Sequence, residues 1–403
     1  MPLPVDSSDE DECEMGEGDA CEEQPRADAE QSSFQVEMFL EAVVGKGGSA
    51  CAGAESSLFD LGFWRSEAAG VGLHVLEKSA ASPSAGEDSL SSATSAATQL
   101  RQSLDRRGYL QSETLFAGDE EATLAAMRQM LVRLKALGFA PAWIYIFDEA
   151  WLVLERCIRL LGDVLVPHAG SGRGAEHLVL EPSIFAHALA KPPALSSSGA
   201  GGCGHAEVTG EIARHSYTGG NFGLPHRDHS SADCFDQATD TPVLLSLWCP
   251  LTPVTADNGC MFVLPKEHDA LLHKPEHPHH LRPFDAASGT MRFGLGGVVA
   301  LAPCRAGCAL AWHGSLVHWG GACSRDTDEM PRASLTAGVR LRTSRATQLQ
   351  AEQSREALTV DQLPPPLEAR VRMIAQSLLV YKWWFPLATS LPKRFVSGTS
   401  PSV

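Results

Sequence analysis

The chain has 403 residues, of which 44% are hydrophobic, so it can bury a large core as one large domain or two ordinary ones. Its net charge is -17, but the first 30 residues carry 12 acidic residues and one basic residue, which leaves the remainder only mildly acidic. No cluster of Lys and Arg supplies the basic face that nucleic-acid binding requires. Composition therefore excludes a general nucleic-acid-binding role.

The 11 cysteines are scattered, odd in number and without a CxxC pair. This pattern predicts reduced thiols in an intracellular, cytoplasmic protein and not a secreted disulfide framework. We see no secretory signal and no run of about 18 apolar residues, so we expect no membrane span. The pattern does not indicate an oligomeric state.

The composition predicts four regions along the chain. Residues 1–33 are acidic and poor in large apolar groups, which predicts a disordered tail. Residues 34–95 form a variable region with a short helix at 34–44 and a Ser/Ala-rich insertion. The main domain is expected over 96–390, and a flexible C-terminus over 391–403.

Apolar spacing predicts helices at 120–137, 149–166 and 366–384, and a helix that turns into a strand at Gly108. Short apolar runs separated by Gly, Pro and Asp predict strands near 206–217, 242–250, 259–265, 297–301, 308–313 and 333–342. A mainly β core of this kind, about 205–345, is typical of a sandwich or a jelly roll.

His226 and Asp228 are the first candidate site residues. They are two positions apart, and alternate side chains of an extended strand point to the same face. We therefore expect both to reach one metal ion while Arg227 points away. The pair alone is a weak signal, because His-x-Asp occurs often by chance.

His318 is the third candidate ligand, 90 residues after Asp228, and it follows an apolar strand and a turn. Two imidazoles and one carboxylate on one side of a cation form the facial triad of non-haem iron(II) oxygenases. This arrangement leaves positions open for a co-substrate and for dioxygen. A carboxylate at this place predicts hydroxylation and not halogenation.

Arg332 and Ser334 provide a third signal, 14 residues beyond His318. They share one face of a predicted strand, and the planar guanidinium suits a carboxylate. We expect Arg332 to bind the distal carboxylate of 2-oxoglutarate and Ser334 to donate a hydrogen bond to the same group.

The order His-x-Asp, His, Arg-x-Ser resembles the phytanoyl-CoA dioxygenase family of iron(II)- and 2-oxoglutarate-dependent oxygenases. The resemblance covers roughly residues 96–387 in layout and is specific over 206–342. It includes the apolar strand at 245–251 and the turn at Asn258-Gly259.

The sequence departs from the family at three places. The family's Pro-Gly-Ser-His element is Pro265-Lys266-Glu267-His268 here, and Cys308 stands where the family usually has Asp. An insertion at 325–331 lengthens the loop before Arg332. None of these positions is a predicted metal ligand.

The resemblance implies an α+β fold with a double-stranded β-helix, or jelly roll, flanked by N-terminal helices and a C-terminal helix. It implies iron(II), 2-oxoglutarate and dioxygen, with ascorbate as a further cofactor, and hydroxylation of a small-molecule or lipid-like substrate. Two alternatives stay open: a protein side-chain hydroxylase, and a catalytically silent jelly-roll interaction module.

Several other histidines compete for these roles. We interpret His229 as a pocket-rim or surface residue and His313 as a hydrogen-bonded, non-ligating residue. The His-rich run at 277–280 is expected in a surface loop, and Cys304 and Cys308 are not expected to bind zinc. Trp248, Trp312 and Trp319 are expected in the core or in a pocket wall.

Overall fold

The computed structural model describes residues 58–76, 90–167, 173–189, 224–236, 239–285, 290–321, 323, 330, 332–342 and 357–381. The predicted acidic tail, the helix at 34–44, the strand at 206–217, the loop insertion at 325–331 apart from Met330, and the C-terminus beyond 381 lie outside these residues.

The described helices surround a sheet. They are α1 Leu61–Ala69, α2 Leu90–Arg107, α3 Glu121–Leu137, α4 Asp148–Leu165, α5 Ser231–Cys234 and α6 Leu367–Val380. The helices predicted at 120–137 and 149–166 are confirmed, as is the described part of the helix predicted at 366–384, and the turn at Gly108 does separate a helix from a strand.

The strands of the described residues form one large and two small antiparallel sheets. Their bounds are β1 Tyr109–Thr114, β2 Leu178–Ala188, β3 Leu244–Pro250, β4 Met261–Val263, β5 Phe284–Asp285, β6 Thr290–Met291, β7 Val299–Ala300, β8 Cys308–His313, β9 His318–Gly320, β10 Ala333–Leu341 and β11 Leu358–Thr359. The six-stranded order is β1-β8-β3-β10-β2-β11, the three-stranded order is β7-β4-β9, and β5 pairs with β6. The predicted mixture of helices and an antiparallel β core is confirmed.

The two faces of the six-stranded sheet belong to different cores. Leu247 of β3 and Leu335 of β10 pack into the larger core, which also contains residues of α3 and α4. Trp248 of β3 and Trp312 of β8 lie on the opposite face, in a second core shared with β4 and β9. The space between the two sheets is therefore lined by the alternate residues of β3, β8 and β10.

Helix α3 illustrates how the sequence produces the helical layer. Its buried residues recur at intervals of three or four: Leu124, Met127, Met130, Leu131 and Leu134. The helix ends at Gly138, which has φ 87°, a left-handed conformation that glycine adopts at little cost.

The larger core also includes residues from the region before Ala96. Trp64 of α1 is fully buried and stacks on Trp143 with ring centroids 5.6 Å apart. Leu58 and Val75 are buried in the same core. The described folded body thus begins well before Ala96, while the proposed division into domains stays a prediction. Among the described residues, no helix is long and apolar enough to cross a membrane.

Helix α4 makes a close backbone contact that leaves no room for a side chain. A Cβ added to Gly162 would overlap the backbone of Ala175. We predict that Gly162→Ala lowers the free energy of unfolding by about 1–3 kcal/mol, because the helix must move away from this segment. Urea denaturation measures the change. Gly296→Ala is the matched control, since open space surrounds that position, and equal losses in the two variants would contradict the argument.

Candidate metal centre

Two short backbone segments place the predicted metal ligands side by side. The amide nitrogen of His226 donates to the carbonyl of His318 at 3.1 Å, and the amide of His318 donates to the carbonyl of His226 at 3.0 Å. This is an isolated antiparallel bridge and not the strand expected for residues 226–228. The bridge still brings together two residues that are 92 positions apart.

The side chains of His226, Asp228 and His318 converge on one point. Their ligand atoms all lie within 4.8 Å of one another. Nε2 of His226 is 3.6 Å from Oδ1 of Asp228, and Nε2 of His318 is 3.6 Å from Oδ2. The imidazole rings are largely buried, whereas 32% of the Asp228 side chain is exposed. A cation at this point can therefore be reached from solvent.

Both imidazoles are oriented by backbone carbonyls two residues earlier. Nδ1 of His226 donates to Leu224 at 2.8 Å, and Nδ1 of His318 donates to Leu316 at 2.9 Å. A carbonyl can only accept, so the neutral ring carries its proton on Nδ1 and directs the Nε2 lone pair toward Asp228. Metal-binding histidines are typically held in this way. The donor set thus fits a divalent cation.

The electrostatics favour the protonation states that a metal requires. Burial raises the pKa of Asp228, but the imidazoles of His318 and His226 lower it, and the resulting pKa is well below its usual range. Burial lowers the pKa of His318 to about 4, against the opposing effect of Asp228. At neutral pH the carboxylate is ionised and His318 is neutral, as metal ligation demands.

Ser246 holds the carboxylate of the triad. Its hydroxyl donates to Oδ2 of Asp228 at 2.6 Å from the inner face of β3. The Trp312 ring, on the neighbouring strand β8, lies 4.8 Å from the His318 ring. Sequence reasoning did not select Ser246, although a serine inside the apolar run Leu244–Pro250 is a signal that could have found it.

Arg227 lies between the two ligands in sequence and points away from them, as expected. Its side chain is fully buried and pairs with Asp269, with Nη–Oδ distances of 2.6 and 2.8 Å. It also donates to the carbonyls of Ser315 at 2.5 Å and His280 at 2.6 Å. This network ties the metal-binding segment to the turn before His318, a role that the sequence pattern did not indicate.

Arg332 and Ser334 lie on the same side of the six-stranded sheet as Ser246. The Arg332 guanidinium is 5.4 Å from the centre of the Trp248 ring and reaches the carbonyl of Gly259. Ser334 is fully buried and is paired in register with Pro250, four residues along β3 from Ser246. Their predicted contact with 2-oxoglutarate stays a prediction.

The Asn258-Gly259 turn places a backbone acceptor beside Arg332. Gly259 has φ 88°, and the Asn258 side chain accepts from Thr255 N at 2.8 Å and donates to Pro253 O at 2.8 Å. The turn holds the Gly259 carbonyl against the guanidinium. The predicted Asn-Gly turn therefore positions the Gly259 carbonyl as a hydrogen-bond acceptor for Arg332.

The predicted environments of the other histidines agree with the structure only in part. His229 is exposed, as expected. His313 is fully buried at the end of β8, and neither ring nitrogen has a hydrogen-bond partner among the described residues, so the expected hydrogen-bonded histidine is wrong. His280 is buried and accepts from Ser231 N at 3.1 Å, so its assignment to a surface loop is also wrong. Trp248, Trp312 and Trp319 are buried, as predicted.

The combination of an antiparallel β core with two imidazoles and a carboxylate defines the class of protein, a non-haem iron oxygenase. A family model described as phytanoyl-CoA dioxygenase (PhyH) matches residues 171–327, which include all three candidate ligands and end before Arg332. These residues are similar to that family, and the match covers less than half of the chain. The predicted family and the enzyme class, a 2-oxoglutarate-dependent oxidoreductase, are thereby confirmed.

No curated protein matches the chain. Solved structures similar to it include the non-haem α-ketoglutarate-dependent epimerase SnoN from nogalamycin biosynthesis, at 21% identity, 61% coverage of this chain, 81% of that chain and a TM-score of 0.35. EvdO2 from Micromonospora carbonacea var. aurantiaca, complexed with 2-oxoglutarate, has 18% identity, coverages of 60% and 90%, and a TM-score of 0.32. The apo non-haem monooxygenase ThoJ has 14% identity, coverages of 69% and 99%, and a TM-score of 0.38. These TM-scores and identities are too low for the activity of any of these proteins to be assigned to this chain.

Removing the hydroxyl that holds Asp228 should weaken metal binding. We predict that Ser246→Ala lowers the affinity for Mn²⁺, used as a spectroscopic substitute for iron, by about tenfold, since hydrogen bonds to metal ligands contribute to affinity at this level. Electron paramagnetic resonance titration measures free Mn²⁺. Ser103→Ala is the control, because that hydroxyl donates to Tyr109 away from the site. An unchanged affinity in Ser246→Ala would refute the assigned contact.

Removing the buried guanidinium should destabilise the fold. We predict that Arg227→Met lowers the free energy of unfolding by about 3–5 kcal/mol, because Asp269 is left buried without its counter-charge. The double variant Arg227→Met/Asp269→Leu should lose less, since no uncompensated charge remains. Urea denaturation compares both with Arg305→Met, an exposed arginine. A loss in Arg227→Met no larger than in this control would contradict the prediction.

Proposed function

We propose that the protein is an iron(II)- and 2-oxoglutarate-dependent dioxygenase that hydroxylates a small-molecule substrate. In this proposal His226, Asp228 and His318 hold the iron, and Arg332 with Ser334 binds the distal carboxylate of 2-oxoglutarate. The two facing sheets then form a double-stranded β-helix around the site.

The observation that carries the proposal is a group of buried polar atoms on the inner face of the large sheet. The indole nitrogen of Trp248 and the hydroxyls of Ser334 and Thr336 have no hydrogen-bond partner among the described residues. Thr336 is paired in register with Trp248, and Ser334 is one pleat further along the same face of β10. The three groups therefore border a common region beside Arg332.

Buried donors without partners are costly, about 1–3 kcal/mol each, and are uncommon in folded proteins. A bound carboxylate would supply the missing acceptors and would also neutralise the guanidinium of Arg332. The register places this region along β3 from Ser246, which contacts Asp228. A dicarboxylate such as 2-oxoglutarate can span from the metal to the arginine.

When bound, iron(II) with 2-oxoglutarate and dioxygen supplies oxidative decarboxylation to succinate and carbon dioxide, coupled to hydroxylation of a C–H bond, with ascorbate as an accessory reductant. The protein's own groups prepare the site. Ser246 holds the Asp228 carboxylate in place, and the Nδ1 hydrogen bonds orient both imidazoles. Trp312 and Trp248 cover the inner face of the sheet with apolar surface and keep bulk water from the pocket.

Succinate release in the absence of added substrate tests the proposal. We predict that His226→Ala and His318→Ala reduce this release by at least about a hundredfold, because the triad loses a ligand. His229→Ala, which changes an exposed neighbour, should retain most of it. Arg332→Gln should raise the KM for 2-oxoglutarate by about tenfold or more while metal binding is preserved. A wild-type protein that binds iron but forms no succinate would support a silent interaction module instead.

A substrate screen separates the small-molecule proposal from the protein side-chain alternative. Small metabolites and peptides are each offered to the iron-loaded protein, and succinate release above the uncoupled level is measured. Stimulation by peptides alone would overturn the small-molecule assignment.

A further inference from the structure

A second arginine lies at the metal centre and has no part in the proposed binding of 2-oxoglutarate. Nη1 of Arg282 donates to the backbone carbonyl of Arg227 at 3.1 Å and to that of Leu281 at 3.1 Å. The residue is exposed. Arg227 stands between His226 and Asp228 in sequence, so the guanidinium is held one residue from both ligands.

Electrostatic effects agree with this position. Partial burial lowers the pKa of Arg282, whereas the Asp228 carboxylate raises it. Arg282 in turn contributes to the lowered pKa of His318, after the larger effect of burial. The guanidinium therefore acts on two of the three candidate ligands.

The charge of Arg282 has no direct acidic partner among the described residues. In the part of the chain that the structure describes, no carboxylate forms an ion pair with it, and its hydrogen bonds go to two backbone carbonyls. Other arginines of this region do have acidic partners, as Arg227 has Asp269 and Arg340 has Glu181 at 2.6 Å. A guanidinium has five N–H donors in a planar fork, so several donors stay available to a ligand.

Two leucines expose apolar surface beside this charge. Leu224 is 38% exposed and Leu281 is 44% exposed. The carbonyl of Leu224 accepts from Nδ1 of His226, and the carbonyl of Leu281 accepts from the amide of Arg227 at 3.0 Å. Both leucines are thus attached directly to the metal-binding segment.

We infer that Arg282, with Leu224 and Leu281, forms the substrate-recognition site at the mouth of the metal centre, and that it selects a substrate with an anionic group, a carboxylate or a phosphate, joined to an apolar body. This inference rests on the proposed function, since it assigns the substrate class of the same centre. The anionic group would bind within a few bonds of the carbon that reacts, because Arg282 is held so close to the ligands.

Octanoate is a suitable probe, because it has one carboxylate and an alkyl chain. The full chain is loaded with Mn²⁺ and 2-oxoglutarate, so that the co-substrate position is filled and octanoate cannot occupy it. Paramagnetic relaxation of the octanoate protons then reports their distance from the metal, and its concentration dependence gives the affinity. We expect relaxation that is strongest at the carbon next to the carboxylate, and an affinity reduced by about tenfold or more in Arg282→Gln.

Controls isolate the guanidinium and the charge. Arg305→Gln removes an exposed arginine elsewhere and should bind octanoate like the wild type. Octanamide has the same chain without the charge and should bind about tenfold more weakly, while acetate tests the contribution of the chain. Octyl phosphate compared with octanoate shows which anionic group the site prefers.

The outcomes distinguish a failure of this inference alone from a failure of the proposed function. If wild-type protein binds Mn²⁺ but Arg282→Gln binds octanoate unchanged, the recognition site is overturned and the metal centre stands. If Arg282→Gln instead raises the KM for 2-oxoglutarate in uncoupled turnover, the arginine serves the co-substrate and the inference is also overturned. If wild-type protein does not bind Mn²⁺, both proposals fail together.

Discussion

The candidate metal centre depends on a buried guanidinium that does not bind metal. Arg227 pairs with Asp269 and donates to the carbonyls of His280 and Ser315. These bonds join the metal-binding segment, the loop that follows β4 and the turn before β9. A buried ion pair is stabilising only when its geometry and its additional hydrogen bonds are complete, and this network meets that condition. The ligand segment thereby keeps its position without belonging to a regular strand.

Side chains on one face of the large sheet connect the candidate metal centre to the surroundings of Arg332. Ser246 contacts Asp228, and Trp248 lies under Arg332. The hydroxyls of Ser334 and Thr336, which have no hydrogen-bond partner among the described residues, follow on β10. Such buried donors lower the stability of the folded protein. Under the proposed function, a bound carboxylate would supply the missing acceptors to a site that is already arranged for it.

Helices with a long, regular repeat of apolar residues could be predicted from the sequence. Contacts between side chains that are far apart in the chain could not. Helices α3 and α4 follow from apolar spacing, since burial on one side is the main reason that such helices form. The errors concern residues whose environment is tertiary. His280 looked exposed in a Pro-rich run, yet Arg227 and Ser231 fold over it, and the buried ring of His313 lies against Gly108, where a Cβ would collide with it.

The sequence by itself predicted the candidate site residues: the ligand types, their order and an arginine suited to a carboxylate, because these depend on residue type and short spacing. Only the tertiary structure decided that a backbone bridge unites His226 with His318, and that Arg282 lies beside them. Such contacts join residues far apart in the chain, and their formation depends on how the strands pair and pack. No local pattern encodes that pairing, so it became visible only in three dimensions.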